Sequence, residues 1–276
     1  MEHSLLFLGA GKPVLCEKAM ASDLEGVDAV LALARARGLF FLHGVWSRHF
    51  PAMAALRETL ASGAIGEVVS AHASFCQRDG AGCCSATLET GIYSAQFLHW
   101  VFESGGAPEA AVEAVSVNVD PASGLDQHCT ALVRFQKDGG GGGGGVGTLE
   151  CSLMHCSPRE ALVCGTKGVV RVMYPFWCPT SFSVQRMSGA GSQTMTEEQV
   201  FEFPLPDLSR PGGGGTGADE GAAPCFNFVN SAGLSYEALE VHRCLRLGLT
   251  ESPAFDSKSC RAVMATIDAV RGRFSE

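Results

Sequence analysis

Two short apolar runs, Val14-Leu15-Cys16 and Leu39-Phe40-Phe41-Leu42, flank a stretch with helical spacing, and that arrangement most constrains the fold. Between them Val27, Val30, Leu31 and Ala34 recur at three- and four-residue intervals. Asp23 precedes them as an N-cap should, and Gly38 follows them as a glycine closing a helix should. Strand, helix and strand in this order predict a parallel βαβ unit, so the start of the chain is α/β. Its first strand ends in Glu17-Lys18. Open α/β sheets bind ligands in the crevice beyond the carboxyl ends of their strands, which is where this pair falls. A plain surface lysine at a strand end is the ordinary alternative.

From Val68 onward the pattern changes. A helix over 52–61 gives way to period-two apolar segments at 68–75, 114–119, 129–135, 147–153, 160–165 and 168–172. One helix is expected at about 93–101 and two more at 238–247 and 259–271. The chain is therefore expected to open as α/β and to continue as a larger part built on a predominantly antiparallel sheet.

Composition narrows the function classes. The 276 residues carry a net charge of −9 with no basic run, which argues against a nucleic-acid groove or an anionic membrane surface. No apolar run approaches the roughly 20 residues of a membrane span, and the N-terminus lacks the basic region of a signal peptide. The twelve cysteines are scattered, many in apolar segments, so buried reduced thiols and a cytoplasmic location are expected. Cys151, His155 and Cys156 do not match a standard zinc spacing, and no metal is expected. His72, His99, His128 and His155 have no triad partner at recognisable spacing and are assigned to structure. Gly9-Ala10-Gly11 precedes a strand rather than a helix, so it fails as a dinucleotide fingerprint and reads as the end of a helix reaching Leu8. The runs Gly139–Gly145 and Gly212–Gly215 lack the lysine or helix start of a phosphate loop. They read as an expanded hairpin turn and a surface loop.

Several motifs in order resemble the Gfo/Idh/MocA oxidoreductases, and within them the branch of dimeric dihydrodiol dehydrogenases that also oxidises D-xylose. They are Cys16-Glu17-Lys18, the stretch Trp46 to Pro51, Gly91-Ile92-Tyr93 with Gln96-Phe97, Gly165-Thr166-Lys167-Gly168, Trp177-Cys178-Pro179-Thr180, Asn230 to Ala238, and Glu251-Ser252-Pro253. Three departures accompany the match. The glycine fingerprint that opens this family is missing, as though the chain began some 70–80 residues, about two to three βα units, into the pattern. The family's Glu-Lys-Pro is Glu17-Lys18-Ala19, and its Asp four residues before the catalytic Tyr or His is Glu89.

The resemblance implies the C-terminal part of a Rossmann domain over residues 1–45, followed over 46–276 by a larger α+β domain with an open, mainly antiparallel sheet and helices on one face. It also implies an NADP cofactor, with NAD as the alternative, a small diol or aldopyranose substrate, and a homodimer formed through the exposed sheet face. It implies Tyr93 as acid/base, with Lys18 and Glu89 beside it. A free phenol titrates near 10, so a base at neutral pH needs a cation to stabilise its phenolate, and Lys18 is the expected source. Cofactor contacts are expected from Glu17, Lys18, Trp46 and Arg48, and a substrate pocket from Trp46, Phe75, Tyr93, Trp177 and Phe228. Each has an ordinary counterpart: an exposed tyrosine at a helix start, a solvated acid, a surface arginine, packed core aromatics. The competing function is an inactive fragment or a sheet-mediated dimerisation or binding module.

Overall fold

A computed structural model describes residues 1–80, 82–103, 109–136, 144–188, 194–206 and 228–274. The chain opens with helix α1 (Glu2–Gly9) and then forms β1 (Val14–Glu17), α2 (Leu24–Arg37) and β2 (Phe41–Gly44). The expected βαβ unit is present. β1 and β2 pair in parallel, Cys16 opposite His43 and Glu17 opposite Gly44. Local chemistry fixes both ends of α2. The Asp23 carboxylate accepts from the Gly26 N–H at 2.8 Å, and Gly38 takes the left-handed conformation that closes the helix. Val27, Val30, Leu31 and Ala34 are the buried face, as their spacing requires.

A 3₁₀ turn at Trp46–His49 leads into α3 (Pro51–Ala61), and β3 (Val68–Cys76) enters the main sheet. A π-helical turn (Thr87–Gly91) runs into α4 (Ile92–Phe102). The strands that follow are β4 (Glu109–Val119), β5 (Asp126–Gln136), β6 (Gly145–Ser152), β7 (Ala161–Gly165), β8 (Gly168–Val172), β9 (Ser181–Arg186) and β10 (Gln199–Glu202). Their order across the eight-stranded sheet is β10-β9-β8-β7-β3-β6-β5-β4, and only the β3–β6 pair is parallel. β9 and β10 lie beyond the strands expected from the sequence, and β4 begins earlier. Most of Gly139–Gly145 and all of Gly212–Gly215 lie outside the described residues.

The sheet is amphipathic by its two-residue period. In β5, Cys129, Ala131, Val133 and Phe135 are buried while the alternate side chains face outward. α4 packs on β3 and β6 from the buried side. After α5 (Leu234–Arg246), the last helix α6 (Ser257–Arg271) packs against α2, α4 and β4, tying the small parallel sheet to the large one. Its start is held by the Asp256 carboxylate on the Ser259 N–H at 2.7 Å. The cysteines at 76, 129, 151, 178, 244 and 260 are buried free thiols, whereas Cys83 and Cys156 are exposed. No helix among the described residues is long and apolar enough to cross a membrane.

Candidate active site

The carboxyl ends of β1 and β2, the start of α4 and the inner face of β3 meet around one cleft of about 390 Å³. Every residue expected at the site lines it except Arg48: Glu17, Lys18, Trp46, Phe75, Glu89, Tyr93, Trp177 and Phe228. Gln77, Asp79, Thr90 and Leu234 line it too and were not foreseen.

Tyr93 is the second residue of α4 and only 7 % exposed, so the ordinary reading of a tyrosine with its hydroxyl in water does not hold. The Trp46 indole N–H donates to its phenolic oxygen at 3.1 Å. The two aromatic walls are coupled through the chain, because the Ser47 hydroxyl donates to the Trp177 carbonyl. Trp177 stacks on Phe75 at 3.9 Å between ring centroids, and Phe75 lies 5.7 Å from the Tyr93 ring. Phe228 meets Trp46 edge-on at 6.0 Å but is 58 % exposed, so it forms the rim of the cleft rather than its interior.

Lys18 projects from the end of β1 into this group. Its ammonium donates to the Glu89 carbonyl at 3.0 Å and pairs with the Glu89 carboxylate at 2.8 Å. Glu89 belongs to the π-helical turn one turn before Tyr93, and its carboxylate is in contact with Lys18. The Glu17 carboxylate accepts from the Lys18 backbone N–H at 3.1 Å, and the Lys18–Ala19 peptide is cis where the family pattern has proline.

The electrostatics depart from expectation. Burial, with the Glu17 and Glu89 carboxylates adding to it, pushes the Tyr93 phenol well above its ordinary value of 10, against the opposing pull of the Trp46 hydrogen bond. Lys18 does not reverse this, because its ammonium lies 5.6 Å from the ring centroid and is already paired with Glu89. The phenol is therefore protonated at neutral pH. Behind the cleft wall, one turn along α5 from Leu234, Glu237 is 5 % exposed and its Oε2 has no hydrogen-bond partner among the described residues. Burial, reinforced by Glu17, raises its carboxyl to about 7.

Arg48 is corrected by the structure. Its guanidinium is buried away from the cleft, donating to the Glu103 carboxylate at 2.7 Å and to the Gln96 side chain at 3.1 Å, and it stacks 4.4 Å over Phe255. Glu103 lies 55 residues away, at the far end of α4, and no local spacing foretells the pair.

Residues 53–171 match the GFO/IDH/MocA C-terminal domain. The trans-1,2-dihydrobenzene-1,2-diol dehydrogenase of Oryctolagus cuniculus is 34% identical over 276 residues, covering 97% of this chain and 73% of its own length. The Homo sapiens enzyme of the same name is 34% identical over 275 residues, covering 97% and 72%. Among solved structures, a 3-ketoreductase from Actinomadura kijaniata, in complex with TDP-benzene and NADP, shares the fold. Its TM-score is 0.73 at 19% identity, over 98% of this chain and 72% of that one. By its sequence relatives, its matched domain and its fold, the chain belongs to the Gfo/Idh/MocA family of oxidoreductases.

Proposed function

We propose that this chain interconverts a hydroxyl and a carbonyl on a small diol or sugar with NADP, and that Tyr93 moves the proton. The observation carrying this reading is the buried Tyr93 phenol, fixed by the Trp46 N–H inside an aromatic cleft with Lys18 beside its ring. A cleft of about 390 Å³ walled by Trp46, Phe75 and Trp177 fits a flat trans-dihydrodiol ring or the face of an aldopyranose such as D-xylose. The names of the relatives favour the diol.

The described residues fit one end of a nicotinamide dinucleotide. Glu17, Lys18 and Trp46 stand at the strand carboxyl ends beside Tyr93, where the nicotinamide would lie, and the NADP held by the structural neighbour supports that choice over NAD. The nearby start of α2 does not fit the pyrophosphate, because the Asp23 carboxylate already occupies it. When bound, the cofactor supplies or accepts the hydride. The chain's own part is proton transfer and positioning. A protonated Tyr93 carries the proton that a carbonyl oxygen takes up on reduction, although burial makes it a weaker acid than a free phenol. In oxidation the proton moves the opposite way, from the substrate hydroxyl to the Tyr93 oxygen, with the Lys18 ammonium 5.6 Å from the ring. In this reading residues 1–45 face the cofactor. Residues 46–276 hold the substrate and present the outer sheet face to a second copy.

The test is NADPH binding, followed by cofactor fluorescence, together with NADP reduction by a trans-dihydrodiol or by D-xylose. Saturable binding and substrate-dependent turnover are expected. No binding at millimolar NADPH would overturn the reading and leave a non-enzymatic binding module.

A further inference from the structure

On the outward face of the eight-stranded sheet, away from the cleft, three metal-ligating side chains from separate segments meet. One ligand atom each from Cys76, Glu150 and His155 lie within 4.8 Å of one another. This is not the Cys151-His155-Cys156 cluster that the sequence places together, because Cys151 points inward, into the core. Register explains the gathering. β3 and β6 run in parallel with Ser74 opposite Glu150, so these two share a face, and Cys76, two residues on, shares it as well. His155 arrives from the loop after β6, which is tied down on both sides. The Leu153 N–H donates to the Gln127 carbonyl at 2.8 Å, and Ser157 exchanges bonds with the Cys76 backbone in both directions, each at 3.2 Å.

The side chains are also pre-set. The Ser74 hydroxyl donates to Glu150 Oε2 at 2.8 Å. Glu150 Oε1 lies 3.7 Å from His155 Nε2, too far for a hydrogen bond. Two donors on one tetrahedral zinc ion stand about 3.4 Å apart, given bond lengths near 2.1 Å. The His128 ring lies 5.4 Å from that of His155, and its Nδ1 is buried without a hydrogen-bond partner among the described residues.

We infer that Cys76, Glu150 and His155 form a binding site for a divalent ion of the zinc class, with water as the fourth ligand. Thiolate and imidazole donors select zinc-like ions over magnesium or calcium. As the sulfur–metal bond forms, the Cys76 thiol releases its proton to solvent, and no electron is transferred. Cys76 lies between Phe75 and Gln77, both of which line the cleft, so a bound ion would tie the end of β3 to the loop behind it.

Cobalt(II) added to the full, reduced chain is the probe, with zinc as competitor. The expected result is one equivalent bound with a thiolate-to-cobalt absorption band that zinc abolishes. Affinity should fall at least about tenfold in Cys76→Ser and in His155→Gln, and remain in Cys83→Ser and Cys156→Ser, which remove exposed thiols. If Cys76→Ser fails to fold, His155→Gln decides, since that ring is half exposed. A bare Glu150–His155 ion pair would give no thiolate band. Absence of the band, its survival undiminished in His155→Gln, or its loss in Cys156→Ser would each overturn the site. The readout is independent of turnover, so its failure is separable from failure of the proposed activity.

Discussion

Replacing Glu237 with glutamine should change how stability depends on pH, in a direction the structure fixes. The Glu237 carboxyl titrates at about 7 in the folded chain against an ordinary 4.5. Below pH 4.5 it is protonated whether the chain is folded or not, and it contributes nothing. Between 4.5 and 7 the unfolded chain gives up the proton while the folded chain keeps it, so stability falls as pH rises. Above 7 both forms are ionised and the loss levels off. At about 1.4 kcal/mol per pH unit between the two values, the full loss is about 3 kcal/mol. The side chain is 5 % exposed, so solvent screening reduces this little. Wild-type stability alone will not reveal it. Burial holds His43 and His99 neutral down to about 3, and His49 to about 4, which destabilises the folded chain as pH drops below 6.5. The difference between wild type and Glu237→Gln removes that contribution, and any cost of burying the amide enters as a constant offset. Urea unfolding at pH 5, 6, 7 and 8 should show the variant gaining about 2–3 kcal/mol on wild type across the series. A difference that moves by less than about 1 kcal/mol would refute the assignment of a raised, buried carboxyl.

Three further outcomes follow from the contacts. Lys18→Met removes both links to Glu89 and should lower stability by about 1 kcal/mol, while lowering kcat/KM for diol or sugar oxidation and for carbonyl reduction alike. Steady-state rates in both directions test this, and unchanged rates would count against Lys18 as part of the site. Arg48→Met leaves the Glu103 carboxylate buried without its main partner and should cost about 3 kcal/mol, most of it recovered in the double variant with Glu103→Leu. A double-variant cycle of unfolding free energies checks it, and full additivity would contradict the buried pair. Trp46→Phe keeps an aromatic wall but deletes the N–H that holds the phenol. It should lower kcat with little change in thermal midpoint, and unchanged kcat would exclude positioning by this bond.

The βαβ unit was legible in local signatures, whereas the residues of the cleft were expected only through the family resemblance. The βαβ unit shows in the spacing of Val27, Val30, Leu31 and Ala34 and in the Asp23 and Gly38 ends, and it places Lys18 at a strand terminus. Trp46 and Trp177, expected as walls from the resemblance and favoured by the proline-containing turns beside them, do line the cleft. What escaped depends on long-range pairing. Arg48, expected at the cofactor with a surface arginine as the ordinary alternative, is instead buried against Glu103 from the end of α4. Phe228, grouped with the wall aromatics, is largely solvent-facing. β10 is a four-residue strand at the sheet edge, whereas β9 carries a period-two signal of its own in the buried Phe182 and Val184. The Cys76–Glu150–His155 group depends on the single parallel pairing in an antiparallel sheet, which side-chain periodicity does not encode. Lys18 was expected to lower the Tyr93 phenol, but burial outweighs a cation whose charge Glu89 already balances.

The central claim is that the buried phenol of Tyr93 transfers the proton. Tyr93→Phe keeps the ring, its packing on Phe75 and the cleft volume while deleting only the hydroxyl. The direct measurement is the rate of NADPH-dependent carbonyl reduction by wild type and variant at saturating cofactor, with NADPH affinity measured in parallel by fluorescence. A fall of about 10²-fold or more in kcat, with NADPH affinity unchanged, is the predicted result. A variant that turns over within twofold of wild type would contradict the account.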